Sequence, residues 1–218
     1  MKKLLLFALG ILLVPVLRSS AQDKTTTNTG DRPYMYVGPV MGVGSSWVGN
    51  VPGASTSAIL SGYAGVNMIM MYKHWGWGDQ LIMSSEGYTA NYVNGKVSDI
   101  PTYLRMPMRG YYFFGDRSSV VRPDIYLGPS FGWNVAEHTS TNYYVGDMSN
   151  LHSASNFNTF DMGIDGGVGV LVRVAKNVNL NFDLGFYDGL TDALKTPSNT
   201  YSPNRNTDMT MGVLFGIK

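Results

Sequence analysis

Val178, Asn179, Leu180, Asn181, Phe182, Asp183, Leu184, Gly185 and Phe186 alternate without a break, apolar at every even position and polar or glycine at every odd one. Side chains of an extended chain point to opposite faces with a period of two, so this stretch is a strand with one oily and one wet face. The same pattern recurs in about eight segments, joined alternately by short and long connections. Such repetition predicts an all-β, eight-stranded antiparallel up-and-down transmembrane β-barrel.

Outward from that segment, strand one is expected over Tyr34 to about Ser46, strand two over about Ala58 to Tyr72 and strand three over about Trp77 to Tyr88. Strand four is read as Tyr103 to Phe114, strand five as Pro123 to Trp133, strand six as Asp161 to Arg173 and strand eight as Asp208 to Ile217. Two interruptions stand out. Ile69 and Met71 break the alternation of strand two, where a bulge is expected, and Leu81, Ile82 and Met83 are consecutive in strand three.

Connections 73–76, 115–122 and 175–177 are short and read as periplasmic turns. Connections 47–57, 89–102, 135–159 and 187–205 are long and read as extracellular loops. Trp77, Tyr72, Phe114 and Phe215 fall near the first set of strand ends, and Trp47, Tyr103, Trp133 and Phe186 near the second. Two interfacial girdles are expected from them.

Lys2 and Lys3 precede an apolar run from Leu4 to Leu17, with Ser19 and Ala21 as small residues before Gln22. This reads as a signal peptide, residues 1–21, cleaved after Ala21. The run falls short of the roughly 18 residues of a spanning helix. Residues 22–33 read as a polar, Thr-rich periplasmic linker and residues 34–218 as the barrel.

Charged residues make up 14% of the chain, against roughly 25% in soluble domains. Low charge without a long apolar run after the leader fits strands with half their positions facing lipid. A net charge of +1 without a basic cluster lacks the footprint of nucleic-acid binding. With no cysteine in the chain, disulfides, thiolate metal sites and a cysteine nucleophile are excluded.

A soluble barrel would also alternate, with its apolar face inward. The polar faces here hold Gly, Asn, Ser and Tyr rather than the Lys and Glu that cover a wetted barrel, and small residues suit a crowded lumen. Glu86, Arg105, Arg109, Asp124, Asp161, Asp165, Arg173 and Asp183 then share one narrow interior. Buried charges must pair, so a structural ion network that closes the lumen is expected rather than a pore.

Several segments carry a resemblance. Tyr103, Leu104, Met106, Pro107 and Met108 continue into Tyr111, Tyr112 and Phe113; Gly128, Pro129, Ser130 and Gly132 follow in strand five; Phe160, Asp161, Gly163, Gly167 and Gly169 in strand six; Tyr187, Gly189, Leu190 and Thr191 close strand seven. In these motifs the chain resembles the PorT-like outer-membrane β-barrel domains of bacteroidetes, from strand one to the C-terminus. Arg105 stands where that family usually carries an acid. Thr210, Gly212, Phe215 and Ile217 resemble the C-terminal signal read by the barrel-insertion machinery, although Lys218 departs from its usual aromatic ending. The resemblance implies the outer membrane, membrane lipid and lipopolysaccharide as surroundings, and an accessory role beside an envelope protein partner in secretion or gliding.

No catalytic residue, cofactor or metal is expected. His74, His138 and His152 lie on different connections, which is no metal site, and Asp147 with Asn150 lacks calcium-loop spacing. The His138 and Ser140 spacing resembles that of outer-membrane lipid A deacylases, yet continuing strand-five parity turns both into the lumen, away from lipid. Tyr92, Tyr143, Tyr144 and Tyr201 in the long loops are candidates for a recognition surface. The sequence therefore favours a non-enzymatic structural or surface-binding barrel, with the secretion accessory and a lipid-modifying enzyme as alternatives.

Overall fold

Nine antiparallel strands follow in chain order in the computed structural model: β1 (Tyr34–Val48), β2 (Ser55–Tyr72), β3 (Trp75–Ser85), β4 (Tyr88–Tyr92), β5 (Gly95–Phe113), β6 (Val121–Tyr143), β7 (Phe160–Ala175), β8 (Val178–Asp192) and β9 (Pro203–Ile217). The structure describes residues 34–51, 54–93, 95–143, 157–195 and 201–217, so the expected leader and linker lie outside the described residues. Apart from β3 and β4, which do not pair with each other, each strand pairs with its chain neighbours, and β1 pairs with both β2 and β9, which closes the ring. Because β3 and β4 both lie between β2 and β5, they form one interrupted barrel strand and the ring has eight. Closure leaves no unpaired edge, which is the condition for crossing lipid with strands.

The faces sort in the sense opposite to a soluble protein. On β8, Phe182, Leu184 and Phe186 are exposed while Asn179, Asn181 and Asp183 are buried. Met41 and Val43 on β1, Val168 on β7 and Met209 and Met211 on β9 are likewise exposed. An apolar band on the outside and a polar inside are stable only where hydrocarbon is the solvent. Strand six, seven and eight parities agree with the sequence throughout.

Strand two runs without the expected bulge. Its register against β1 and β3 is continuous from Gly62 to Met71, so Ile69 and Met71 point inward and are almost fully buried. They join Tyr111, Phe113, Tyr126, Leu171 and Leu214 in an apolar cluster inside the short-turn end of the ring. Ile82 likewise turns inward, against Val40 and Tyr63, while Leu81 and Met83 face out.

All four long loops are shorter than expected, the first reduced to residues 49–54. Residues 89–102 form the β4–β5 hairpin, β6 extends to Tyr143, and β8 and β9 extend to Asp192 and back to Pro203. The 23 residues of β6 far exceed the roughly 9–11 that a tilted strand needs to span a bilayer. These extensions exceed the length that lipid requires, and beyond it no oily stripe is needed, so hydrophobic periodicity does not mark them. The turns at the other end stay short, at residues 73–74, 114–120 and 176–177.

Aromatics ring the turn end of the barrel: Tyr72, Trp75, Trp77, Phe114 and Phe215 are all exposed, and Trp75 and Phe114 meet Tyr112 edge-on at 5.1 and 5.0 Å. At the loop end Trp133 lies against Phe160. Tyr103 is not part of that outer girdle. Its odd position places it inward beside the arginines of β5, where it is fully buried.

Candidate functional site

The lumen is built from alternate residues of every strand, stacked in layers. At the loop end an apolar lid of Val48, Tyr88, Ala90, Tyr103, Phe157, Ala193 and Leu194 packs across the ring. Beneath it Arg105 bridges Glu86 at 2.5 Å and Asp161 at 2.6 Å, and is sandwiched between the rings of Tyr103 and Tyr187 at 4.8 and 4.2 Å. The Asn204 amide donates to Glu86 at 2.6 Å and closes the cluster. A guanidinium so placed is both paired and covered on its faces, which offsets the cost of its burial.

A break in the third barrel strand aims Glu86. Between β3 and β4 the chain passes through Gly87 at φ 139°, a region that disfavours any side chain. Its amide donates to the Ser46 hydroxyl at 2.9 Å, and the Glu86 amide donates to the Pro101 carbonyl at 3.0 Å. The carboxylate also accepts from Ser84 at 2.5 Å.

The next layer centres on Arg109, which forms a two-point pair with Asp165 and stacks on Tyr126 at 4.4 Å. Asp183 accepts from Asn181 at 2.8 Å and from Thr210 at 3.4 Å. Asp124 is buried with neither oxygen hydrogen-bonded, and only the absence of a side chain at Gly169 leaves room for it beside Asp183. Below this layer lies the apolar cluster of Ile69, Met71 and Leu214. Arg173 stands apart from these layers. Its guanidinium reaches the turn at 115–120 and donates to the carbonyls of Arg117 and Ser118.

Sequence reasoning missed Asn204 as a lumen residue, and left Asp208 out of the ion network although it stands on the polar face of strand eight. Both share the inward parity of Thr210, and only the polar run ahead of Asp208 hid the true start of β9. It also missed Asp79, an outward-facing carboxylate whose two oxygens accept from the Trp77 indole at 3.2 Å, opposite Met68 and Met108.

The extracellular candidates are placed as follows. Tyr103 pairs with Asn134 but Thr102 with Ala136, so Val135 is an extra residue in β6. That bulge reverses parity, and His138 and Ser140 face outward opposite Ile100 and Ser98 rather than into the lumen. Tyr92 and Tyr201 are exposed. Tyr144, Asp147, Asn150 and His152 lie outside the described residues. His74 sits at the short-turn end, with its Nδ1 3.0 Å from the Phe113 carbonyl oxygen. Among the described residues no three metal-binding side chains converge.

Residues 60–195 match the model of the outer membrane protein beta-barrel domain, well over half of the chain. The chain belongs to that family. Among solved structures, the outer membrane barrel domain is similar to OprG of Pseudomonas aeruginosa, with a TM-score of 0.51 at 12% identity over 86% of this chain and 94% of that one. Neisserial surface protein A gives 0.48 at 16% over 83% and 96%, and outer membrane protein W of E. coli 0.42 at 16% over 83% and 97%. At such identities the OprG likeness establishes the fold alone. No curated protein matches the sequence. As an outer membrane barrel domain, the chain is an outer-membrane protein, and its oily belt is the lipid-facing surface.

Proposed function

We propose that this is a non-enzymatic outer-membrane barrel that is closed along its axis and works through its extracellular rim, as a structural or surface-binding protein. The observation that supports this most is the stacking of two arginine–carboxylate layers between two apolar clusters, which fills the interior from end to end. An eight-stranded ring has space for side chains only, and here the side chains use it. The extended β4–β5 hairpin and the long β6 stand beyond the membrane and offer the surface for binding, with Tyr92 and Tyr201 exposed on it. In this reading residues 1–21 are removed on export, and Thr210, Gly212, Phe215 and Ile217 on β9 are presented to the insertion machinery. Phe215 and Ile217 face lipid and Thr210 faces the lumen, which suits that role. A PorT-like place beside secretion or gliding machinery rests on the strand motifs.

The test is electrical. Purified protein in a planar bilayer should give no discrete conductance steps, and a stable open level would overturn the closed-barrel reading. The outward turn of His138 and Ser140 favours one competing reading, a hydrolase acting on surface lipid. Lipid A from cells with and without the protein should be identical; a deacylated species present only with the protein would favour the hydrolase.

A further inference from the structure

The periplasmic end of the barrel is a bowl rather than a flat cap. A cavity of about 590 Å³ lies between the turn at 115–120 and the ends of β1, β2, β7 and β8. Five cationic side chains line it, Lys73, Arg117, Arg122, Arg173 and Lys176, against the single carboxylate of Asp116. Its floor is apolar, since Met71 and Leu171 belong to the cluster that closes the lumen. Among the described residues the bowl is therefore blind, positively charged and open at the turn end.

The cations differ in what they do. Arg173 is committed to the wall through the carbonyls of Arg117 and Ser118. Arg122 is the informative one: it is 4% exposed, lies over the Phe113 ring at 5.1 Å and donates one Nη to the Lys73 carbonyl at 2.8 Å. Its Nε is buried and has no hydrogen-bond partner. A dry guanidinium donor is costly unless something accepts from it. A basic bowl with low-dielectric walls concentrates anions, and the guanidinium fork matches the oxygens of a phosphate. The volume is that of a small-molecule site.

We infer that this bowl binds a phosphate-bearing anion, a phosphomonoester or phosphodiester group, with Arg122 as its buried anchor and Lys176 at its rim. The inference concerns the end of the barrel opposite the extracellular surface and stands or falls independently of it. Two sources share this chemistry: soluble phosphorylated compounds of the periplasm and the headgroups of the inner leaflet.

The experiment is calorimetric titration of the full mature barrel in uncharged detergent with inorganic phosphate and with glycerol 3-phosphate, beside acetate at matched ionic strength. Saturable binding of the phosphates but not acetate is expected, weakened on the order of tenfold in Arg122→Gln, the loss of one charge-assisted donor. Lys176→Gln lies in an exposed turn and should weaken binding even if Arg122→Gln does not fold. Arg205→Gln, at the other end of the barrel, should bind as wild type. Repeating the titration in nanodiscs assigns the source. Phosphatidylglycerol in place of a phosphate-free galactolipid weakens soluble binding if headgroups occupy the bowl and leaves it unchanged if they do not. No saturable binding, equal binding by both bowl variants and wild type, or equal binding of acetate would overturn the inference.

Discussion

Removing one charge should have opposite effects at two residues of this barrel. Arg105 is buried between Glu86 and Asp161, so Arg105→Leu strands two carboxylates and should cost about 3–5 kcal/mol. Asp79 points to the lipid side, covered by apolar neighbours at 6% exposure, and accepts from the Trp77 indole, so Asp79→Asn keeps an acceptor, sheds a charge from the lipid side and should stabilise by about 1 kcal/mol. Urea unfolding in liposomes measures both, and a stabilised Arg105→Leu or a destabilised Asp79→Asn would contradict the placement of that residue. The arginines of β5 were legible in the sequence because they share a face opposite Leu and Met. Their partners were legible only as a set, since which carboxylate meets which guanidinium depends on register between strands far apart in the chain. Arg173 shows the limit: parity puts it inward, but height along the barrel axis carries it past the lumen to the turns. Asp79 was missed because a single carboxylate on an oily face breaks a pattern without announcing a role.

At the scale of the element, strands that cross lipid were readable and strands that leave it were not. β8 was legible almost residue by residue because its two faces meet two different solvents. Residues 89–102 fall in the β4–β5 hairpin, whose apolar alternation is too short to mark a crossing strand. In β6 one extra residue at Val135 reverses the facing of everything beyond it, a change no periodicity anticipates. The hairpin makes a direct prediction, helped by the absence of native cysteine. A cysteine at Val93, fully exposed at the hairpin tip, should react with a membrane-impermeant maleimide on intact cells. One at Ser118, in the opposite turn, should react only after the envelope is opened. Labelling with the reverse order would invert the barrel in the membrane.

For the whole molecule, one physical rule organises sequence, fold and proposed role. Water lies at the two ends, hydrocarbon surrounds the waist, and the ring is too narrow to hold anything but its own side chains. Those conditions put Leu, Met, Val and Phe outside, stack paired charges and tyrosines inside, and leave only the rim and the periplasmic bowl free to meet other molecules. The fold class followed from alternation alone. The sealing of the lumen at both ends by apolar clusters did not, because Ile69 and Met71 read as irregularities until the ring is closed around them and Leu214 packs against them.

The most direct test of that rule is a nitroxide scan of positions 179 to 186 in liposomes, comparing collision with oxygen against collision with a water-soluble nickel chelate. Oxygen accessibility should oscillate with a period of two, high at Leu180, Phe182, Leu184 and Phe186 and low at Asn181 and Asp183. Oscillation with the opposite phase, or none at all, would contradict the account.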